Sequence, residues 1–178
     1  MSKIIAPLED VTMEEVDMLY ESNLIELERS EMALEDAIEA WKYAVADKEN
    51  ITVQYILNIH HLLMCRLAPN IAGRFRDCDV WIGGERKKFI TESVLKEQLE
   101  EWIKDLKAAS NPLVLSDAEK EGLAQKLHID YENFHGFSDG NGRSGRILYQ
   151  IHRLLLGLPI VVIESKTKYE KYYPWFKK

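Results

Sequence analysis

Apolar residues recur every three or four positions along most of this chain, the spacing of helices with one face turned inward. Thr12-Met-Glu-Glu15 forms a capping box, and Val16, Leu19 and Tyr20 begin the first apolar stripe. A second helix is expected from about Ser30 to Ala46, with Ala33, Leu34, Ala37, Ile38, Trp41 and Val45 on one face. Thr52 can cap a third that carries Ile56, Leu57, Ile59 and Leu63 until Pro69 and Gly73 end it. Thr91 starts a fourth with Leu95, Leu99, Trp102, Ile103 and Leu106. A second capping box, Ser116-Asp-Ala-Glu119, opens a fifth with Leu123, Ala124, Leu127 and Tyr131. The last regular pattern runs from about Gly142 to Leu156 and stops at Gly157, with Pro159 beyond.

Only Val80–Ile90 departs from this period. Val80-Trp81-Ile82 favours a strand, Gly83-Gly84 a two-residue turn, and Arg86–Ile90 a returning strand. No repeat, low-complexity tract or linker interrupts the rest. The expected fold is all-α, a helical bundle with one short β-hairpin.

Composition narrows the class. The 178 residues are 46% hydrophobic and 30% charged, in the range of globular rather than disordered chains. A net charge of −7 argues against nucleic-acid or anionic-membrane binding, both of which need a basic surface. The end of the chain, Lys166 to Lys178, mixes lysines with aromatics. It is expected to form a final helix that packs its rings and leaves its lysines solvated, with a nucleic-acid or partner patch as the alternative. Two cysteines, Cys65 and Cys78, make no disulfide framework. No apolar run approaches the ~18–20 residues of a membrane span, and Met1–Pro7 is too short for a signal-peptide core. A cytoplasmic protein is the expectation.

The chemistry concentrates in His135–Arg146. His135 titrates near neutrality and suits a general base that takes a proton from an attacking hydroxyl; an isolated histidine more often simply bonds a carbonyl. Asp139 offers a loop carboxylate for Mg²⁺, or a helix N-cap. Gly140-Asn141-Gly142 would let backbone amides approach a phosphate at a helix N-terminus. Arg143 and Arg146 share one face of the first helical turn and could hold separate phosphoryl oxygens, or pair with some of the 30 acidic residues. Phe137 reads as a core anchor for the loop. Gly140 to Gly145 also fits the G-x-G-x-x-G dinucleotide pattern, but a helix rather than a strand precedes it and no βαβ unit follows. His60, His61, His128 and His152 lack a zinc spacing.

The segment His135-x-Phe137-x-Asp139-Gly140-Asn141-Gly142-Arg143-x-x-Arg146 resembles the signature of Fic-domain proteins, H-x-F-x-(D/E)-G-N-G-R-x-x-R, at every specified position. Gly136 stands where proline is usual. The likeness extends back through Gly73-Arg74-Phe75-Arg76, similar to the family's G-x-(F/Y)-R, and through the hairpin, similar to its target-docking flap. It covers roughly residues 50–160. The resemblance implies an N-terminal part, 1–48, and a Fic catalytic core with a C-terminal helix, 49–178, within one domain. It also implies transfer of AMP from ATP to a Tyr, Thr or Ser hydroxyl of a target protein.

By the same resemblance His135 would be the base and Asp139 the Mg²⁺ ligand. Phe137, Gly140, Asn141, Gly142, Arg143 and Arg146 would form the nucleotide site, with Arg143 and Arg146 also catalytic. Val80, Trp81, Ile82, Lys88 and Phe89 would form the flap. Members that move the terminal phosphate carry Lys in place of Gly142, so this chain is expected to transfer AMP. Ser22-Asn-Leu-Ile-Glu26 is similar to the family's inhibitory motif (S/T)-x-x-x-E-(G/N), except that Leu27 replaces Gly or Asn. Glu26 would then reach Arg146 and take the place of the γ-phosphate. The rival expectations are removal of AMP from a modified protein, with Glu26 orienting water, and a non-catalytic nucleotide-binding module of toxin–antitoxin type. A homo-oligomer or self-modification stays open.

Overall fold

The capping signals in the chain fix where its helices begin. A computed structural model describes residues 10–109 and 115–177. The opening Met1–Pro7 segment and Lys178 lie outside the described residues. Helix α1 (Met13–Ile25) starts on a reciprocal capping box between Thr12 and Glu15, and the Glu15 carboxylate also accepts from the Trp41 indole at 2.9 Å. Ser30 caps α2 (Glu31–Ala46) and Thr52 caps α3 (Val53–Met64), each accepting from the third backbone N–H beyond it. After the hairpin come α4 (Glu92–Ala109), α5 (Asp117–Phe134) with its Ser116–Glu119 box, and α6 (Asn141–Leu155).

Almost every side chain of α6 is buried, including Ile147, Leu148, Ile151 and the polar Gln150, His152 and Arg153. A helix buried all round belongs at the centre, and α1, α2, α3 and α5 pack against it. One hydrophobic core joins Leu19, Trp41, Ile56, Leu99, Tyr131, Phe137 and Ile151. Two of these polar residues bind the chain that follows α6: Gln150 exchanges two hydrogen bonds with the Val161 backbone, and Arg153 donates to the Pro159 carbonyl. The expected all-α fold with one hairpin is the fold adopted.

Two boundaries differ from expectation. The returning strand is β2 (Glu85–Lys87), paired antiparallel with β1 (Val80–Ile82) so that Ile82 faces Glu85 across Gly83-Gly84. Both glycines have positive φ, as a tight hairpin turn of this hand requires. Lys88 and Phe89 fall outside the ladder because their backbone is used elsewhere. The Phe89 N–H donates to Asp79 at 2.6 Å, and the Lys88 carbonyl accepts from Arg76 at 3.0 Å.

The second difference is the C-terminal segment, which forms not one helix but short turns over Ser165–Thr167, Lys168–Tyr172 and Tyr173–Phe176, the middle one of π type. Pro174 has no N–H to continue a helical ladder. Nor do all its lysines stay solvated: Lys168 is buried.

Candidate active site

The loop between α5 and α6 is held from three sides. His135 caps α5 with φ +49°, a left-handed conformation that turns the chain sharply out of the helix. Its Nδ1 lies 3.1 Å from the Glu132 carbonyl. A carbonyl only accepts, so in the neutral ring Nδ1 carries the proton and Nε2 keeps its lone pair. Burial lowers the pKa of His135, and Lys87 and Arg76 lower it further, so the neutral form dominates at pH 7.

Asn141 fastens the loop: its side chain accepts from the Phe137 N–H at 2.9 Å and donates to the Phe137 carbonyl at 2.8 Å. Both bonds hold the buried Asn141 side chain on the loop backbone. Phe137 lies beneath this loop. It is 0% exposed, stacked on His60 at 3.8 Å and near-parallel to Phe75, and it anchors the loop as its apolar character suggested.

Two residues outside the His135–Arg146 segment do the rest of the positioning. His60 accepts from the Gly73 N–H at Nδ1 (3.0 Å), so its Nε2–H donates to the Asp139 carbonyl at 2.9 Å. Burial holds its pKa down to about 4, which keeps it neutral and fit for both bonds. Arg76, also buried, donates to the carbonyls of His135 (3.0 Å), Cys78 (2.8 Å) and Lys88 (3.0 Å). One guanidinium therefore joins the candidate base to both ends of the hairpin. The sequence signal for His60 was a polar residue on the buried face of α3; that for Arg76 was its place in the G-x-F-R segment.

The start of α6 is electropositive. Its N-cap, Gly140, offers no side-chain bond, and its first turn has no acidic residue, so several N–H groups and the dipole end lack an internal partner. Arg143 lies in that turn, buried, with Nε unpaired and Nη2 3.5 Å from Asp139. The Asp139 carboxylate accepts from the Gly140 N–H at 2.6 Å, yet its side chain is 68% exposed.

Arg146 is the meeting point of three separate elements. From α1 it receives Ser22, whose Oγ accepts from Nε at 2.8 Å and whose carbonyl accepts from Nη2 at 2.9 Å, and Glu26, whose Oε1 lies 2.7 Å from Nη2. From the C-terminal turns it receives the Tyr172 hydroxyl at 3.5 Å, which His128 holds at 2.8 Å. From α5 comes Glu132, whose Oε1 is buried without a hydrogen bond, 3.9 Å from the His128 Nε2, and whose pKa burial pushes up to about 7. A Cβ on Gly142 would run into the Glu26 carboxylate and the end of Arg146, so a larger residue there would have to shift that pair.

Leu27, the departure in the upstream motif, has φ +62° and is 75% exposed. The N–H groups of Leu27 and Glu28 close α1 in a Schellman turn onto Leu24 and Asn23. That left-handed position explains why glycine or asparagine suits it. Gly136, the other departure, has the Phe134 ring where a Cβ would stand, so proline would need that ring to move.

The Fic/DOC family model matches residues 50–152, more than half of the chain. The chain is 29% identical over 142 residues to the protein adenylyltransferase Fic of Drosophila willistoni, spanning 78% of this chain and 27% of that protein. It is 28% identical over 129 residues to the protein adenylyltransferase fic-1 of Caenorhabditis elegans, spanning 71% and 24%. The chain thus spans about a quarter of the length of these curated relatives. Among solved structures, a Fic domain-containing signaling protein from Bacteroides thetaiotaomicron superposes with a TM-score of 0.73 at 19% identity, over 90% of this chain and 69% of that one. Residues 134–508 of Fic-1 from C. elegans superpose with a TM-score of 0.63 at 21% identity, over 93% and 50%.

Proposed function

The chain belongs to the Fic/DOC family, and on that premise we propose that it is a protein adenylyltransferase, moving AMP from ATP to a Tyr, Thr or Ser hydroxyl of a protein. The observation that carries this reading is His135, held neutral by burial with Nδ1–H on the Glu132 carbonyl and Nε2 unbonded. In the step proposed, Nε2 takes the proton of the target hydroxyl while its oxygen attacks the α-phosphorus. The new O–P bond forms as the bond to the β-phosphate oxygen breaks, and pyrophosphate leaves.

The start of α6 would bind the phosphates through its free N–H groups and the unpaired Nε of Arg143. Asp139 suits Mg²⁺: among the described residues no cluster of His, Cys, Asp and Glu could hold a metal by itself. A magnesium–nucleotide complex needs only one or two carboxylates beside phosphate oxygens and water. Mg²⁺ would supply charge neutralisation at the phosphates. The edge of the hairpin would take the target segment by main-chain pairing, and Arg76 ties that hairpin to His135.

Glu26 would restrain the enzyme. Its carboxylate occupies Nη2 of Arg146, the cation that should orient the γ-phosphate, so nucleotide would bind with its α-phosphate out of line. The test is transfer of α-labelled AMP from ATP to protein. His135→Ala should lose about 10²–10⁴-fold in rate while still binding nucleotide, and a variant as fast as the parent would overturn the reading.

A further inference from the structure

Helix α1 carries no basic residue in its last turn. Of its last four carbonyls, Ser22 accepts from Arg146 and Asn23 and Leu24 from the Schellman turn, which leaves the Ile25 carbonyl, at the negative end of the dipole, for a cation from elsewhere. Lys168 supplies one. Its ammonium donates to the Ile25 carbonyl at 2.6 Å, and the residue is 8% exposed. The rings of Tyr169 and Tyr173 lie 5.5 and 5.7 Å from the same nitrogen, which strengthens its hold by cation–π attraction.

Tyr172 stands at the other end of the same five-residue turn. Its hydroxyl is 3.5 Å from Nη1 of Arg146 and its ring 5.8 Å from the guanidinium carbon. Just upstream, the Ser165 N–H donates to Glu21 of α1 at 2.6 Å. One turn of the C-terminal segment therefore touches Arg146 directly and binds α1 at the residue next to Glu26.

We propose that Lys168 is a positioning residue for Glu26: by capping α1 in trans it keeps the carboxylate on Arg146, so the segment 165–176 is a second latch whose release activates the enzyme. The inference rests on reading Glu26 as an inhibitor. Without the ammonium, the docked state of α1 loses a buried charge–dipole contact and the undocked population rises. Activity rises with it until α1 is mostly undocked, the level that Glu26→Gly reaches at once.

Labelled AMP transfer from ATP, with Mg²⁺ present, is measured on the full chain and on Lys168→Met, Glu26→Gly and the double variant. Methionine keeps the unbranched apolar stem of the side chain and removes its charge. Lys168→Met should raise the rate roughly three- to thirtyfold, the scale of a charge at a partly buried helix C-terminus. It should change the Glu26→Gly rate by less than about twofold, because the two substitutions act through one contact. Lys168→Arg should stay near the parental rate, since a guanidinium can donate to the same carbonyl. Unfolding cannot imitate a gain in rate. If Glu26→Gly is activated and Lys168→Met is not, the latch is wrong and the inhibitor reading stands. An effect of Lys168→Met of equal size in both backgrounds, or a loss in both, also overturns the latch. If Glu26→Gly is itself no faster than the parent, the inhibitor reading fails and the latch falls with it.

Discussion

Glu26 and Arg146 are 120 residues apart in the chain and 2.7 Å apart in space, and their burial is unequal: the arginine side chain is 3% exposed, the carboxylate 38%. Arg146 keeps Ser22 and Tyr172 as further partners, whereas Glu26 reaches in from the surface at the end of a helix. The carboxylate is the end of this pair that can move. Glu26→Gly should accordingly raise AMP transfer by one to several orders of magnitude, since ~1 Å of misalignment at a reacting centre can cost roughly 100-fold. Arg146→Ala should erase that gain in the double variant, measured by labelled transfer.

The pH profile of the released enzyme should report His135. Burial depresses its pKa below the ordinary 6.5, so the free base persists to lower pH than in an exposed histidine. The rate of Glu26→Gly should hold steady around neutrality and fall only as pH drops through a midpoint under 6.5. A kcat/KM profile centred above that value would assign the titration to another group.

Gly142 and Glu26 should be coupled in stability. Alanine is normally a better helix former than glycine by about 1 kcal/mol. Here its Cβ would collide with the Glu26 carboxylate. Gly142→Ala is expected to be less favourable in the parent than in Glu26→Gly, where only the end of the Arg146 side chain still crowds the added methyl. Denaturant melts of the four chains give the interaction directly. Equal effects in both backgrounds would mean that α1 does not press on this turn.

Glu132 should make the fold prefer acid over part of the pH range. The unfolded chain titrates it near 4.5 and the folded one at about 7, because burial and the nearby Glu26 charge outweigh Arg146. A group whose pKa rises on folding contributes its full stability below the unfolded value and loses it as pH climbs through the folded one. Glu132→Gln should therefore melt at temperatures that decline less between pH 4.5 and 7 than those of the parent. Parallel curves for the two chains would show that the carboxyl is ionised throughout.

Much of this protein was legible one segment at a time. Capping boxes and apolar stripes are local: Thr12 with Glu15, or Leu95 with Leu99, carry their meaning within two turns, and the helices begin where those signals stand. The chemistry of His135–Arg146 is local too, being twelve consecutive residues whose types suit nucleotide chemistry. What folding decided was which way each polar side chain is spent. Asn141 and Phe137 sit inside the motif but turn inward, one to close the loop and one to fill the core.

Other assignments lay beyond any pattern in the chain. His60 and Lys168 looked like ordinary helix or surface residues, and the G-x-F-R segment marked Arg76 without its partners; all three became buried donors, to the loop, the hairpin and α1. Leu27 looked like a flaw in a motif until its positive φ showed why glycine or asparagine belongs there. Periodicity sets which face of a helix is buried, because it depends only on residues three and four apart. A buried polar atom must instead be satisfied by whatever backbone docks against it, and that partner arrives from a distant part of the chain.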